Sequence, residues 1–135
     1  TERALELFDL PKGATILELG SGDGRVARHF ARAGYRVVGY ELNPILWIIS
    51  LIWTWRYRGL VKIHLGDYWR VTWPEADGVY VFLLDRFMLK LDEKIEHDCK
   101  KDLRLISYAF KIPGKRISKE RNGFFVYDYN KKRKR

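Results

Sequence analysis

The residues with the clearest capacity for chemistry lie in one short stretch, Glu18-Leu19-Gly20-Ser21-Gly22-Asp23-Gly24. Three glycines at alternate positions let the backbone turn tightly and approach a ligand, because none has a Cβ to obstruct it. A dinucleotide turn has the spacing G-x-G-x-x-G; here the third glycine comes one residue early, Arg25 follows it, and an acid, Glu18, precedes the loop. A second acid, Glu41, closes an apolar run 17 residues past Gly24, where a carboxylate can accept from both hydroxyls of a ribose. A third, Asp67, follows Gly66 after another apolar run and can accept from an exocyclic amino group. Acids in place of a phosphate cradle suit a cationic ligand that carries a nucleoside.

These groups need a frame to converge. Ala4, Leu5, Leu7 and Phe8 mark a short amphipathic helix that stops at Leu10-Pro11-Lys12-Gly13. Residues 14–19 form a compact apolar run, as in a parallel strand buried on both faces. Val26, Ala27, Phe30 and Ala31 recur at helical spacing until Gly34. A second strand covers 36–40, and Asn43-Pro44 supplies an N-cap with proline at the first helical position for a helix to about Arg58, ended by Gly59. Strands over 61–65, 78–84 and 103–110, with a charged helix over 87–100, complete the alternation. Alternating strands and helices imply right-handed crossovers and a parallel sheet. Residues 115–118 and 124–129 flank Glu120-Arg121-Asn122-Gly123 and predict a closing antiparallel hairpin. The fold class is therefore α/β, a mostly parallel doubly wound sheet ending in a hairpin, with its ligand beyond the carboxyl end of the first strand. One domain spans 1–130, and 131–135 read as a solvated basic tail.

The helix after Asn43-Pro44 is apolar nearly all round, from Ile45 through Trp53 to Trp55. One side must cover the sheet. The other is expected to be buried under the first helix and the loop around Trp69 and Trp73. The alternative is an exposed patch that docks a membrane interface or a second protomer, in keeping with the tryptophans and the flank Arg56, Tyr57, Arg58.

With 47% hydrophobic and 32% charged residues, the 135-residue chain has a globular composition. One cysteine, Cys99, excludes an internal disulfide, and His29, His64 and His97 lie too far apart in sequence to suggest zinc, so no metal is expected. A reducing cytoplasm fits. The N-terminus has no signal-peptide pattern, and the longest apolar run, Ile45 to Trp53, is about half the length needed to cross a bilayer. A net charge of +9 points to an acidic partner: nucleic acid, an anionic membrane surface or an acidic protein. Glutamine is absent and Met and Cys occur once each, a bias of heat-stable proteins.

The acid-x-G-x-G-x-G loop resembles motif one of enzymes that use S-adenosylmethionine (SAM). The chain as a whole resembles the small class I protein-lysine methyltransferases, a family that includes a broad-specificity archaeal enzyme and mitochondrial enzymes acting on the adenine nucleotide translocase and on the ATP synthase c-subunit. The resemblance is carried by Glu18 to Val26, by Gly39-Tyr40-Glu41-Leu42-Asn43-Pro44, by Gly66-Asp67-Tyr68-Trp69, and by Ser107-Tyr108-Ala109-Phe110 with Pro113-Gly114. It implies a Rossmann-like methyltransferase fold in which Glu18, Gly20, Ser21, Gly22, Asp23, Gly24, Glu41, Leu42, Asn43, Asp67 and Tyr68 surround SAM. It also implies methyl transfer to accessible lysines of protein substrates, with S-adenosyl-L-homocysteine as product.

The end of the fourth strand, Leu83-Leu84-Asp85-Arg86-Phe87, lacks the Asn/Asp-Pro-Pro-Tyr/Phe motif of enzymes that methylate planar nitrogens. Asp85 and Tyr68 are the candidates to orient an amine, with capping of the next helix as the alternative for Asp85. An RNA or small-molecule methyltransferase, and a non-catalytic SAM-binding or membrane-docked protein, are the rival readings.

Overall fold

The structure is a computed structural model and describes residues 2–83 and 85–131. A seven-stranded sheet organises the chain, with strands β1 (Thr15–Leu19), β2 (Arg36–Glu41), β3 (Val61–Leu65), β4 (Gly78–Val81), β5 (Leu103–Tyr108), β6 (Lys119–Arg121) and β7 (Phe124–Tyr129). The spatial order is β3-β2-β1-β4-β5-β7-β6. β1 pairs in parallel with β2 and β4, so the strand order reverses beside it and the switch point falls at the glycine loop, as expected.

Side chains of alternate strand residues feed two cores. On one face Ile16, Val37 and Ile106 pack with Ala4 and Phe8 of α1 (Glu2–Phe8) and with Ala27 and Phe30 of α2 (Arg25–Arg32). On the other, Leu17, Val79 and Leu105 meet Met88, Leu91 and Ile95 of α4 (Met88–Asp98), whose spacing of three and four residues aligns them on one side of that helix.

The closing hairpin departs from its predicted register. Asn122 and Gly123 both have positive φ, 50° and 85°, which makes them a two-residue loop rather than the second half of a four-residue one. Pairing therefore begins at Arg121↔Phe124, and the first arm is 119–121 instead of 115–118. Other boundaries move as well. β4 stops at Val81 and β5 at Tyr108, both short of expectation, and a 3-10 turn over Asp85–Phe87 precedes α4. Leu84, the expected end of the fourth strand, lies outside the described residues.

The helix α3 (Pro44–Thr54) starts as predicted, with Asn43 Oδ1 accepting from Ile45 N and Leu46 N at 2.9 and 3.3 Å. It gives way to a 3-10 turn at Trp55–Tyr57. Its outer side is not buried under α1 and the Trp69–Trp73 loop. Small polar Ser50 and Thr54 point inward, while Ile45, Ile48, Ile52 and Trp55 are exposed. The cause is a close crossing with α2. An added Cβ at Gly24 would lie 2.9 Å from Ser50 Cα, so the interface between these helices has room only for small groups. Of the expected basic tail, Lys131 is anchored, its Nζ donating to the carbonyls of Ile95 and Glu96 near the end of α4 at 2.8 and 3.1 Å. Residues 132–135 lie outside the described residues. No described helix is long and apolar enough to cross a membrane.

Gly24 has φ +89°, and its Cβ would also collide with the Ser50 backbone. Gly24→Ala is therefore expected to cost about 2 kcal/mol or more in denaturant unfolding. Gly59→Ala, where a Cβ meets nothing, should stay within about 0.5 kcal/mol of the parent.

Candidate active site

The glycine loop is held from the neighbouring strand. Gly20 N and Ser21 N donate to the Tyr40 carbonyl at 3.0 and 2.9 Å. The buried Glu41 carboxylate accepts from Gly22 N through Oε1 at 2.6 Å and from Asn43 N through Oε2 at 2.9 Å. Its main-chain carbonyl accepts from Gly66 N at 2.9 Å. One residue thus joins the segments that follow β1, β2 and β3. Each carboxylate oxygen keeps acceptor capacity for a second donor such as a ribose hydroxyl.

Beneath the loop, Glu18 is only 3% exposed, and Glu18 Oε1 and Ser21 Oγ are buried without a hydrogen-bond partner. Burial pushes the Glu18 carboxyl up to about 8. The adjacent Ser21 hydroxyl opposes this shift, and the charges of Glu41 and Asp23 add to it. Ser21 lies against Gly39, where an added Cβ would run into its hydroxyl. Gly20 and Gly22, in contrast, face open space, with nothing within 4 Å of an added Cβ.

The remaining predicted residues sit around this centre. Asp23 accepts from Arg25 N at 3.1 Å and pairs with Arg25 Nε at 2.8 Å. Asn43 is committed to capping α3, and Leu42 beside it is exposed. Asp67 Oδ1 accepts from Trp69 N at 2.9 Å, and Asp67 Oδ2 lies 3.6 Å from Arg70 Nε in an exposed ion pair. Tyr68 packs against Trp69 with ring centroids 4.9 Å apart and planes tilted by 47°. Burial, with the charges of Asp67 and Glu41, pushes its hydroxyl up to about 12, so it is a donor at ordinary pH and not a base. Asp85 is exposed in its 3-10 turn and makes no hydrogen bond or ion pair among the described residues, while Phe87 holds the N-cap of α4. Capping by Asp85 is therefore not what the structure has.

Sequence reasoning missed an aromatic pair. Phe82 and Tyr108 follow or end β4 and β5, both exposed, with centroids 5.3 Å apart in an edge-on contact. Tyr108 also packs on Phe124 at 4.9 Å, and Ala109 after it holds φ 76°, a left-handed conformation unusual for alanine. The available signal was an aromatic one residue past a parallel strand, a position with no partner in a purely alternating pattern.

These features fit SAM. Glu18 Oε1, buried without a hydrogen-bond partner, and the open glycine face suit a cationic group, Glu41 and Asp67 offer acceptors, and Leu42 offers an apolar surface to a base. Fold and site together define a class I SAM-dependent methyltransferase domain. Residues 18–119 match the model of the ANTKMT methyltransferase domain, and the chain belongs to that family. The human lysine N-methyltransferase of the ATP synthase c-subunit is 34% identical over 119 residues, which cover 83% of this chain and 48% of that protein. A protein-lysine N-methyltransferase of Saccharolobus islandicus is 30% identical over 116 residues, covering 83% and 72% respectively. The chain spans about half the length of the vertebrate relatives it matches. Among solved structures, an RNA methyltransferase from Salinibacter ruber in complex with S-adenosyl-L-homocysteine superposes with a TM-score of 0.85 at 28% identity, covering 95% of this chain and 87% of that one.

Two outcomes test the site. Glu41→Ala removes charge-assisted acceptors worth about 1.5–3 kcal/mol each and should weaken SAM by at least about tenfold in calorimetry, with a lowered melting temperature. For Glu18 the folded state holds a proton that the unfolded chain releases near 4.5, so ligand-free stability should fall as pH rises from 4.5 towards about 8 and level off above. A cation seated beside Glu18 lowers its pKa again. SAM binding near neutral pH should then release a proton, read as a dependence of binding enthalpy on buffer ionisation that Glu18→Gln reduces.

Proposed function

We propose that this chain transfers methyl groups from SAM to lysine ε-amines of proteins, with weak preference for surrounding sequence. The observation that carries this reading is the exposed Phe82–Tyr108 pair at the carboxyl ends of β4 and β5. Aromatic walls accept the apolar stem of a lysine and attract its cationic head. The lysine relatives that match this chain support the same acceptor class.

When bound, SAM supplies an electrophilic methyl on a sulfonium: the amine lone pair forms the N–C bond as the C–S bond breaks, and sulfur keeps that electron pair. The protein's part is placement and proton management. A lysine with a pKa of about 10.4 arrives protonated and must lose that proton before its lone pair can attack. Asp85, an exposed carboxylate just beyond β4, receives the ammonium and passes its proton to water. Tyr68, held protonated, can donate but not abstract. Glu18, Glu41, Asp67 and the glycine face hold the methyl donor.

A second reading, methylation of RNA, is favoured by the net charge of +9 and by the likeness to the Salinibacter ruber enzyme. Labelled SAM incubated with a protein extract and with an RNA extract separates the two. Label should enter lysines of many proteins, and label confined to RNA would overturn the proposal. Phe82→Ala and Tyr108→Ala should each slow transfer by about tenfold or more while SAM affinity stays within about twofold. The rate should climb between about pH 6 and pH 9 as the free-amine fraction grows. A flat profile with chemistry shown to limit the rate would count against a lysine acceptor.

A further inference from the structure

The outer side of α3 is built as if water were not its medium. Along this helix the buried positions are Ser50, fully enclosed, and Thr54, whereas Ile45, Ile52 and Trp55 are 69%, 72% and 63% exposed. Their spacing, with Ile48 between, places them in one stripe along a single helix face. A helix packed for water has the opposite polarity. The tight crossing at Gly24 explains why small residues point inward, but not why the positions left in solvent are isoleucine and tryptophan rather than lysine or glutamate.

The charge around the stripe has one sign. Residues 24–66 contain seven arginines and lysines and a single acid, Glu41. That acid is buried and bound to backbone N–H groups, and Asp23, at the edge of the segment, is paired with Arg25. The arginines edge the apolar surface directly. Arg25 and Arg28 lie over the Trp53 ring at 5.6 and 5.4 Å, and Arg58 lies over Trp55 at 4.5 Å.

We propose that this face docks on the headgroup region of an anionic lipid bilayer, with the Ile45–Trp55 stripe in the acyl boundary and the arginines at the phosphates. Two considerations select this occupant. Tryptophan and arginine at the edge of an aliphatic stripe match the layering of a membrane interface, where aromatic rings and cationic tips sit at headgroup depth. A second copy of the chain matches poorly. A two-fold contact puts the same patch on both sides, so Arg56 and Arg58 of each copy would face like charge with no acid between residues 42 and 66 to meet them. At 11 residues α3 is far too short to span a bilayer, so the contact is peripheral. It places Glu41 and Asn43, at the foot of α3, beside the lipid surface. This docking does not depend on which acceptor is methylated.

Flotation of the full chain with phosphatidylcholine vesicles, and with vesicles that also contain phosphatidylglycerol, tests the proposal. The chain should float with the anionic vesicles and much less with the neutral ones, and lipids brominated in the acyl chains should quench its tryptophan emission. Ile48→Asp with Ile52→Asp should weaken partitioning by at least about tenfold without lowering the melting temperature or SAM affinity. Arg56→Glu with Arg58→Glu should weaken binding to anionic vesicles by about tenfold or more. No flotation with either vesicle overturns the proposal, as does an absence of quenching. Flotation untouched by the isoleucine substitutions also overturns it, since the basic C-terminus would then carry the binding. A solution dimer that the same substitutions dissolve would assign the face to a second copy instead.

Discussion

With both carboxylate oxygens of Glu41 bound to backbone N–H groups, and its carbonyl bound to Gly66 N, the segments leaving β1, β2 and β3 are held at one point. Three parallel strands twist relative to one another and would otherwise send those segments apart. A buried polar group is costly unless its lone pairs are met, and here backbone N–H groups meet one on each carboxyl oxygen. The glycine loop owes its shape to this arrangement. So does α3, because Asn43, whose N–H Glu41 binds, caps that helix with its own side chain.

The same point sets the electrostatics of the site. Glu18, Asp23, Glu41 and Asp67 converge at the carboxyl rim of a protein that is otherwise strongly basic. Glu18 is the least satisfied of them, buried beside an open glycine face with its pKa pushed up to about 8. Such a group opposes folding and favours a cationic ligand, and destabilised polar groups of this kind gather at functional sites.

Packing carries the consequences outward. Because the loop ends in left-handed Gly24, α2 starts against the backbone of α3, with no room for a side chain between them. α3 then turns Ser50 and Thr54 inward, and Ile45, Ile48, Ile52 and Trp55 are left outside. The geometry that seats a cofactor and the apolar surface on the far side of α3 follow from one close contact.

Much of this was legible in the sequence. The alternation of apolar runs and helical spacings determined the parallel sheet, Asn43-Pro44 determined where α3 begins, and the offset third glycine with three strand-end acids determined the kind of ligand. These are local or periodic signals, and each depends on a few neighbouring residues. Other features came only from tertiary structure. A helix apolar at almost every position has no hydrophobic phase, so nothing in residues 45–55 says which side faces the sheet, and contact with Gly24 decided it. The hairpin register turned on Asn122 and Gly123 both adopting positive φ, which a composition of turn residues permits but does not impose. The burial of Glu18 beside the charge of Glu41, and the meeting of Phe82 with Tyr108, join residues distant in sequence, and only strand order brought them together.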